Sequence, residues 1–274
     1  MSKKLYYLTT EIIPFADVTT LAEFSTKVPL ALQEKGHDIR TIIPKYGYVS
    51  ERKYILREVI RLRQIPYIFN GHEKIASAKS GFIPKTRVQV YFLEDEHWFH
   101  PLTNLLYKAK NGRILTDNGE RYGIFSKAVL STLPHLFWSP DIFICNGWQS
   151  AMVPGMYAKH FEGINEFYQN IKTVLVIHDL DEYAHILRTD LENAEVPIDK
   201  SLSGDELNVY DVASFNSDAI IILDRPSKVI SKKLLKLPGI SANQKKVFVI
   251  KCSHDELPDY QQITDEMDDV LSKL

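Results

Sequence analysis

Cysteine is scarce in this sequence, and long hydrophobic runs are absent. The two cysteines, Cys145 and Cys252, are too few and too far apart for a disulfide framework. Each falls at the end of a strand-like run, so we expect both thiols to be reduced. No run approaches the ~18 apolar residues of a membrane-spanning helix, and Glu11 interrupts the apolar start too soon for a signal peptide. These absences predict a cytoplasmic protein.

An excess of positive charge is also absent. The formal net charge is −2, from 33 basic and 35 acidic residues, so the composition does not favour nucleic acid or an anionic membrane as a partner. With 45% hydrophobic residues among 274, the chain can bury a full core, as one large α/β domain or two small ones.

The motifs of five large protein classes are missing. The sequence contains no G-x-x-x-x-G-K-[ST], no G-x-G-x-x-G after a strand, no H-E-x-x-H, no C-x-x-C and no G-x-S-x-G. Only His97 and His100 lie close enough in sequence to share a metal, and Trp98 and Pro101 favour a loop there. We therefore predict neither a metal site nor a cofactor.

The first 44 residues show a strand–helix–strand pattern. Residues 5–8 and 39–43 are apolar runs, and residues 21–35 carry a helical apolar stripe. Pro29 predicts a kink or a restart in that helix, and Gly36 predicts its end. Because ligands bind at the carboxyl ends of parallel strands, residues 10–23 should face the working crevice.

The same alternation continues along the chain. Strand patterns at 87–93, 142–145, 173–177, 219–223 and 247–250 alternate with helical patterns at 120–136, from Trp148 onward, and from Pro226 onward. Asp117 or Asn118 can cap the helix at 120–136. The pattern predicts an α/β fold with a doubly wound, mainly parallel, Rossmann-like sheet spanning residues 1–252.

Two segments depart from the alternation. Runs at 67–69 and 74–78 flank Asn70-Gly71, which predicts a hairpin inside an antiparallel insertion at about residues 55–85. Residues 94–114 form a long polar and aromatic loop, typical of a functional lid or a disordered segment.

Residues 253–274 read as a polar linker followed by an amphipathic docking helix. Residues 225–251 contain Lys and Arg but no acid, whereas the tail is acidic. Two interpretations stay open: two separate solvated faces, or an acidic helix that packs beside the basic segment and shields it.

Several stretches resemble the motifs of bacterial glycogen synthases and plant starch synthases, and their order and spacing agree along nearly the whole chain. They are T-E-I-I-P-F at 10–15, D-N-G-E-R-Y at 117–122, P-D-I at 140–142, W-Q-S-A-M-V-P at 148–154, K-T-V with I-H-D-L at 172–180, and L-N with S-D at 207–218. The resemblance implies the amino-terminal half of a two-domain GT-B glycosyltransferase. It also implies retaining transfer of glucose from ADP-glucose to an α-1,4-glucan, with a partner chain supplying the second, nucleotide-binding domain.

The departures from the family pattern fall where phosphates and protons are handled. Asp17, Thr19 and Thr20 stand in the K-x-G-G segment whose lysine and glycines meet the donor phosphates. Asn146 and Gly147 replace a histidine and an aspartate, and Asp211 replaces a lysine. The resemblance therefore implies that the isolated chain is inactive.

The remaining family positions suit sugar binding, and each has a structural alternative. Asp117 and Asn118 can cap a helix, Arg121 can pair with an adjacent acid, Trp148 can pack in the core, and His178 can be a hydrogen-bonded structural histidine. The candidate substrate-binding residues are Glu11, Glu23, Asp117, Asn118, Arg121, Trp148, Gln149, His178 and Asn208.

Two functions remain open from the sequence. The first is a short synthase homologue that is active only with a second domain from another chain. The second is a non-catalytic protein that binds α-glucan, malto-oligosaccharide or a partner glycosyltransferase through the retained crevice.

Overall fold

The computed structural model describes residues 2–103, 105–255 and 258–274. Its first unit is the predicted one, with strand β1 at Lys4–Leu8, helix α1 at Thr20–Glu34 and strand β2 at Asp38–Pro44. The restart expected at Pro29 does not occur. Helix α1 continues through the proline because Val28, Pro29 and Leu32 are buried against the core, and this packing offsets the lost backbone bond.

Among the described residues, ten strands form one large sheet and two short strands form a separate pair. The sheet strands after β2 are β3 (Arg57–Glu58), β4 (Ile65–Phe69), β5 (His72–Phe82), β6 (Gln89–Glu94), β7 (Ile142–Asn146), β8 (Lys172–Ile177), β11 (Ala219–Asp224) and β12 (Val247–Lys251), and the separate antiparallel pair is β9 (His185–Leu187) with β10 (Glu206–Asn208). The order is β12-β11-β8-β7-β1-β2-β6-β5-β3, with β4 paired to β5. All neighbours from β12 to β6 are parallel, which confirms the predicted mainly parallel sheet.

The helices lie in two groups. Helices after α1 are α2 (Glu51–Tyr54), α3 (Asn118–Ser131), α4 (Leu133–Leu136), α5 (Val153–Met156), α6 (Arg188–Asn193), α7 (Val209–Ser214), α8 (Ser231–Leu234), α9 (Pro238–Ala242) and α10 (Tyr260–Leu271). Helix α1 packs on α10, whereas α3, α5, α7 and α9 contact one another in turn. Within the described ranges, no helix is both long and apolar enough to cross a membrane.

The hairpin predicted at Asn70-Gly71 is confirmed. Asn70 and Gly71 have φ values of 48° and 72°, as the tight turn between β4 and β5 requires. Strand β5 then runs on to pair antiparallel with β6, so the hairpin extends the main sheet. The division into a domain at 1–252 with a 55–85 insertion and a tail at 253–274 stays a prediction.

Three helix predictions are corrected. The pattern at 120–136 divides into α3 and α4, and the segment from Trp148 onward is a 3₁₀ turn, the short α5 and a π-helical turn at Tyr157–Phe161. No helix starts at Pro226. The Asp224 carboxylate accepts bonds from Ser231 N and Oγ at 2.9 and 2.5 Å, which ties the intervening residues into a loop and delays the helix to Ser231.

The tail helix α10 docks on α1 and lies beside β12. Its buried residues are Ile263, Thr264, Met267, Val270 and Leu271. Its acids pair with residues at the end of α1, since Lys35 Nζ lies 2.6 Å from Asp265 and His37 Nε2 lies 2.9 Å from Asp268. The tail therefore packs beside part of the basic segment, but the ion pairs of α10 among the described residues are made elsewhere.

Candidate functional site

A cavity of about 260 Å³ lies at the carboxyl edge of the sheet. The loops after β1, β7 and β8 meet there, as expected for ligand sites in parallel sheets. The lining residues are Thr19, Thr20, Leu21, Gly147, Gln149, His178, Asp179, Asp181 and Tyr210. We call this space the crevice cavity.

The loop after β1 is held by the buried carboxylate of Glu11. One oxygen accepts from Val18 N and Thr19 N at 2.8 and 2.7 Å, and the other accepts from Thr19 Oγ1 and Tyr107 Oη at 2.9 and 2.7 Å. Thr19 Oγ1 in turn caps α1 by accepting from Leu21 N at 3.2 Å. The Glu11 carboxylate therefore holds this loop in place, and the backbone N–H groups of Val18, Thr19 and Leu21 already have acceptors.

The other candidates of the first loop face different surroundings. Asp17 and Thr20 are exposed, and Thr20 Oγ1 accepts from Arg225 Nη2 at 2.8 Å. Glu23 lies against Tyr260 of the tail helix, where burial and then the Glu23 charge raise the pKa of the Tyr260 hydroxyl. Glu23 is not among the residues that line the crevice cavity.

His178 is buried without a hydrogen bond. It is 6% exposed, and neither ring nitrogen has a partner in the described chain. Burial, with a smaller effect of Arg225, lowers its pKa to about 3, so the imidazole is neutral and offers one donor and one acceptor. No described residue supplies the hydrogen bond that the structural alternative for His178 requires.

Gln149 resembles His178 in lacking a partner. It is 3% exposed, and its Oε1 accepts no bond from any described residue. Gly147 beside it has φ of 71°, and a side chain there would overlap the Gln149 amide. The Asn146 Oδ1 likewise has no partner among the described residues, but its Nδ2 donates to Leu8 O and Ile144 O at 3.1 and 3.3 Å and ties β7 to β1, and the residue does not line the cavity.

Two aspartates make the crevice cavity acidic. Asp179 is paired with Lys228. Burial, and then the Asp179 charge, raise the pKa of Asp181 to about 6. Asp181 is not among the residues predicted from the sequence, although its position four residues after β8 indicates the carboxyl edge of the sheet.

Trp148 belongs to the core. It is 1% exposed, and its ring lies 4.9 Å from Tyr122, 5.4 Å from Tyr107 and 6.0 Å from Tyr183 between centroids. This burial agrees with the packing alternative, and the indole Nε1 has no hydrogen-bond partner among the described residues.

The residues at 117–121 attach the long loop to α3. The Arg121 guanidinium donates to the Asp117 carboxylate and to Trp98 O, and Asn118 Nδ2 donates to Tyr107 O at 3.0 Å. Asp117 occupies the N-cap position of α3 without a side-chain cap bond, because its carboxylate is engaged by Arg121. The described part of the 94–114 loop is thus ordered by buried contacts.

Asn208 and Asp211 both cap helices. Asn208 Oδ1 accepts from Tyr210 N at 3.0 Å, and Asp211 Oδ1 accepts from Gly239 N and Ile240 N at 2.8 and 3.1 Å. Neither side chain lines the crevice cavity, so the acid that replaces a family lysine does not face it. Across the described residues, no three His, Cys, Asp or Glu side chains are grouped to hold a metal.

Comparison with known proteins places these features in context. A model of the starch synthase catalytic domain matches residues 4–232. The glycogen synthase of Chlorobium limicola is 34% identical over 177 residues, which cover 65% of this chain and 36% of that protein. The glycogen synthase of Pelodictyon phaeoclathratiforme is 30% identical over 239 residues, which cover 85% of this chain and 47% of that protein.

The fold is similar to a solved structure, the catalytic domain of starch synthase IV from Arabidopsis thaliana bound to ADP and acarbose. The TM-score is 0.76 at 21% identity, over 92% of this chain and 52% of that chain. The chain thus spans about half the length, or less, of the relatives it matches.

Proposed function

Because the chain belongs to the starch synthase catalytic-domain family, we propose that its crevice binds glucosyl units of an α-glucan and that the chain alone transfers no glucose. Its Rossmann-like domain of the GT-B type agrees with this family. The observation that carries the proposal is a cavity at the carboxyl edge of the sheet that is lined by His178 and Gln149, two buried residues whose polar atoms have no hydrogen-bond partner among the described residues.

The glucan part of the proposal rests on His178 and Gln149. Both side chains are more than nine-tenths buried. Each of their nitrogen or oxygen atoms that lacks a hydrogen bond lowers the stability of the fold by about 1–3 kcal/mol. Sugar hydroxyls donate and accept together, so one glucosyl unit can satisfy a neutral imidazole and an amide oxygen. The neutral state of His178 suits an uncharged ligand.

The proposal that the chain alone transfers no glucose depends on the groups that would meet the phosphates of a sugar-nucleotide donor. Glu11 and Thr19 already occupy the N–H groups of Val18, Thr19 and Leu21, which a diphosphate would otherwise contact. Asp181 adds negative charge to the same cavity, whereas the charge of Asp179 is offset by Lys228. A diphosphate therefore meets repulsion and few free donors.

A second candidate is half of a glucosyltransferase that works with a partner chain carrying the nucleotide domain. One contact favours it: Arg225 Nη2 donates to Thr20 Oγ1 at the first residue of α1. A guanidinium therefore stands near the place where the loop lacks a lysine.

The decisive experiment measures transfer and binding on the same preparation. We expect no dose-dependent incorporation of labelled glucose from ADP-glucose into glycogen, and millimolar binding of maltoheptaose by calorimetry. His178→Phe with Gln149→Leu should abolish that binding. The control is Tyr67→Phe, which removes a buried hydroxyl without a partner far from the crevice and should leave binding unchanged.

Clear incorporation by the chain alone would overturn the proposal. Incorporation that appears only when a partner chain carrying a nucleotide domain is added, and that disappears in Arg225→Ala, would establish the second candidate. Binding that survives the His178→Phe, Gln149→Leu variant would move the glucan site away from the crevice cavity.

A further inference from the structure

Apolar side chains are exposed together near the amino ends of β7 and β8, at the end of these strands that is opposite the crevice cavity. Phe137 ends α4 shortly before β7 and is 72% exposed. The 3₁₀ turns at Ile60–Leu62 and Glu166–Tyr168 both contact α4. They contribute Ile60, which is 81% exposed, and the half-buried Phe167. We call Ile60, Phe137 and Phe167 the amino-edge patch.

The backbone at Phe137 is unfavourable for a large side chain. Its φ of 49° and ψ of 43° lie in the left-handed region, where a helix ordinarily ends in glycine or asparagine. The isolated chain leaves most of the ring in water, so the fold gains little from it. Covering the ring with a partner would supply favourable free energy that the chain alone does not obtain.

Charges of opposite sign flank the amino-edge patch. The Arg61 guanidinium lies 5.7 Å from the centroid of the Phe137 ring. On the other flanking turn, the exposed Glu166 precedes Phe167, whose ring lies 6.4 Å from that of Phe137 between centroids. Neither Arg61 nor Glu166 forms an ion pair with another described residue. The patch therefore carries a cation on one flanking turn and an anion on the other.

A surface of this kind is complementary to itself. A two-fold axis through Phe137 would bring Arg61 of one copy to Glu166 of the other, twice, while the two phenylalanine rings cover each other. A bilayer fits less well, because Glu166 would then face hydrocarbon or anionic headgroups. The charge pattern thus favours a second copy of this chain as the partner.

We propose that the amino-edge patch is the interface of a two-fold symmetric dimer of this chain. The inference does not depend on the proposed function, because the crevice cavity lies at the opposite, carboxyl edge of the sheet. The patch is small and carries one largely exposed aromatic ring per copy, so the dimer is weak, with a dissociation constant on the order of 10 μM.

Sedimentation velocity of the whole chain from ~1 to ~200 μM measures this association. We expect the sedimentation coefficient to rise from that of a monomer to that of a dimer. Phe137→Asn removes the ring and suits the left-handed backbone, so it should abolish the rise without lowering the melting temperature. The matched control is Ile55→Asn, because Ile55 is also exposed and left-handed, with φ of 52°, and lines a different cavity beside Phe82.

Charge reversal tests the two-fold pairing. Arg61→Glu and Glu166→Arg each place like charges together at two positions in the dimer, and each should weaken association by roughly tenfold. The double variant should restore association, since the reversed pair attracts again. Arg52→Glu, at an exposed arginine on α2, is the charge control and should have no effect.

A chain that stays monomeric at every concentration would overturn the inference, as would association that Phe137→Asn leaves unchanged. Association that Phe137→Asn abolishes but neither charge reversal weakens would overturn the two-fold pairing. Recruitment of a monomer to phosphatidylserine vesicles, lost in Phe137→Asn, would make the patch a membrane contact and overturn the dimer.

Discussion

The loop after β1 differs from the loops after β7 and β8, which face the same crevice, in how its buried polar groups are satisfied. In the loop after β1, the Glu11 carboxylate accepts four hydrogen bonds and Thr19 caps the helix. In the loops after β7 and β8, Gln149 and His178 are as deeply buried and have unpaired atoms among the described residues.

This difference distinguishes scaffold from site. Hydrogen bonds that a fold completes internally stabilise it and leave nothing for a ligand, whereas unpaired buried groups destabilise it until a ligand arrives. The loop after β1 is therefore an internally hydrogen-bonded wall of the crevice, and the loops after β7 and β8 hold the unpaired groups on which the proposed glucan site depends.

The variant with the largest expected effect removes the Glu11 carboxylate, which holds the loop after β1. Glu11→Ala leaves two backbone N–H groups and two hydroxyls without their acceptor, and we expect a loss of about 3–5 kcal/mol in the free energy of unfolding, measured by urea denaturation. The comparison variant Thr19→Val removes one of the four bonds and the cap on Leu21 and should cost about 1–2 kcal/mol. A Glu11→Ala protein as stable as the parent would show that the carboxylate does not hold the loop.

His178→Phe should act in the opposite direction. The folded state keeps His178 neutral because its pKa is about 3, whereas the unfolded chain takes up a proton below the ordinary value of ~6.5. The parent protein therefore loses stability as pH falls from ~6.5 towards 3, by about 2 kcal/mol at pH 5. The phenylalanine variant should be the more stable protein, with an advantage that grows on acidification, and urea midpoints at pH 7.5 and 5 measure it. A constant difference between the two pH values would contradict the burial of a neutral imidazole.

Asp181→Asn should give a smaller effect with the reverse pH dependence. The folded-state pKa of Asp181 is about 6, above the ordinary value of ~3.9, so the folded parent loses stability as pH rises from ~4 to 6. After discounting for partial exposure, the amide should stabilise the protein by on the order of 1 kcal/mol above pH 6 and by nothing near pH 4. Thermal unfolding at the two pH values checks this. An equal effect at both would assign the change to something other than the charge.

Sequence patterns predicted the strands well because each pattern depends on neighbours along the chain. Continuous apolar runs such as residues 173–177 and 219–223 suit strands buried on both faces of a parallel sheet. The Asn70-Gly71 turn was equally predictable, because the positive φ values that it requires restrict the residue types at both positions. The helix predicted from Pro226 onward was wrong because the pattern does not show side-chain hydrogen bonds. The Asp224 carboxylate accepts hydrogen bonds from Ser231, seven residues along the chain, and holds the residues between them in a loop.

The candidate site was predicted less completely. The carboxyl-edge location and the residues His178 and Gln149 came from the pattern and the family motifs. Glu11 and Asn208 carry the same motifs, yet both are hydrogen-bonded within the protein, and Trp148 is packed among aromatic rings. Asp181 was missed because its raised pKa comes from burial and from the Asp179 charge, which the sequence does not show.

By itself, the sequence determined the strands of the sheet, the edge at which the candidate site lies and the family, because these depend on local periodicity and on ordered motifs. Only the tertiary structure decided which polar residues are satisfied. Glu11 meets Tyr107 across 96 residues, and Gly119 meets the Asp190 carboxylate from a different helix. Burial and hydrogen bonding arise when segments distant in sequence pack together, so the division between scaffold and site emerges only in the folded chain.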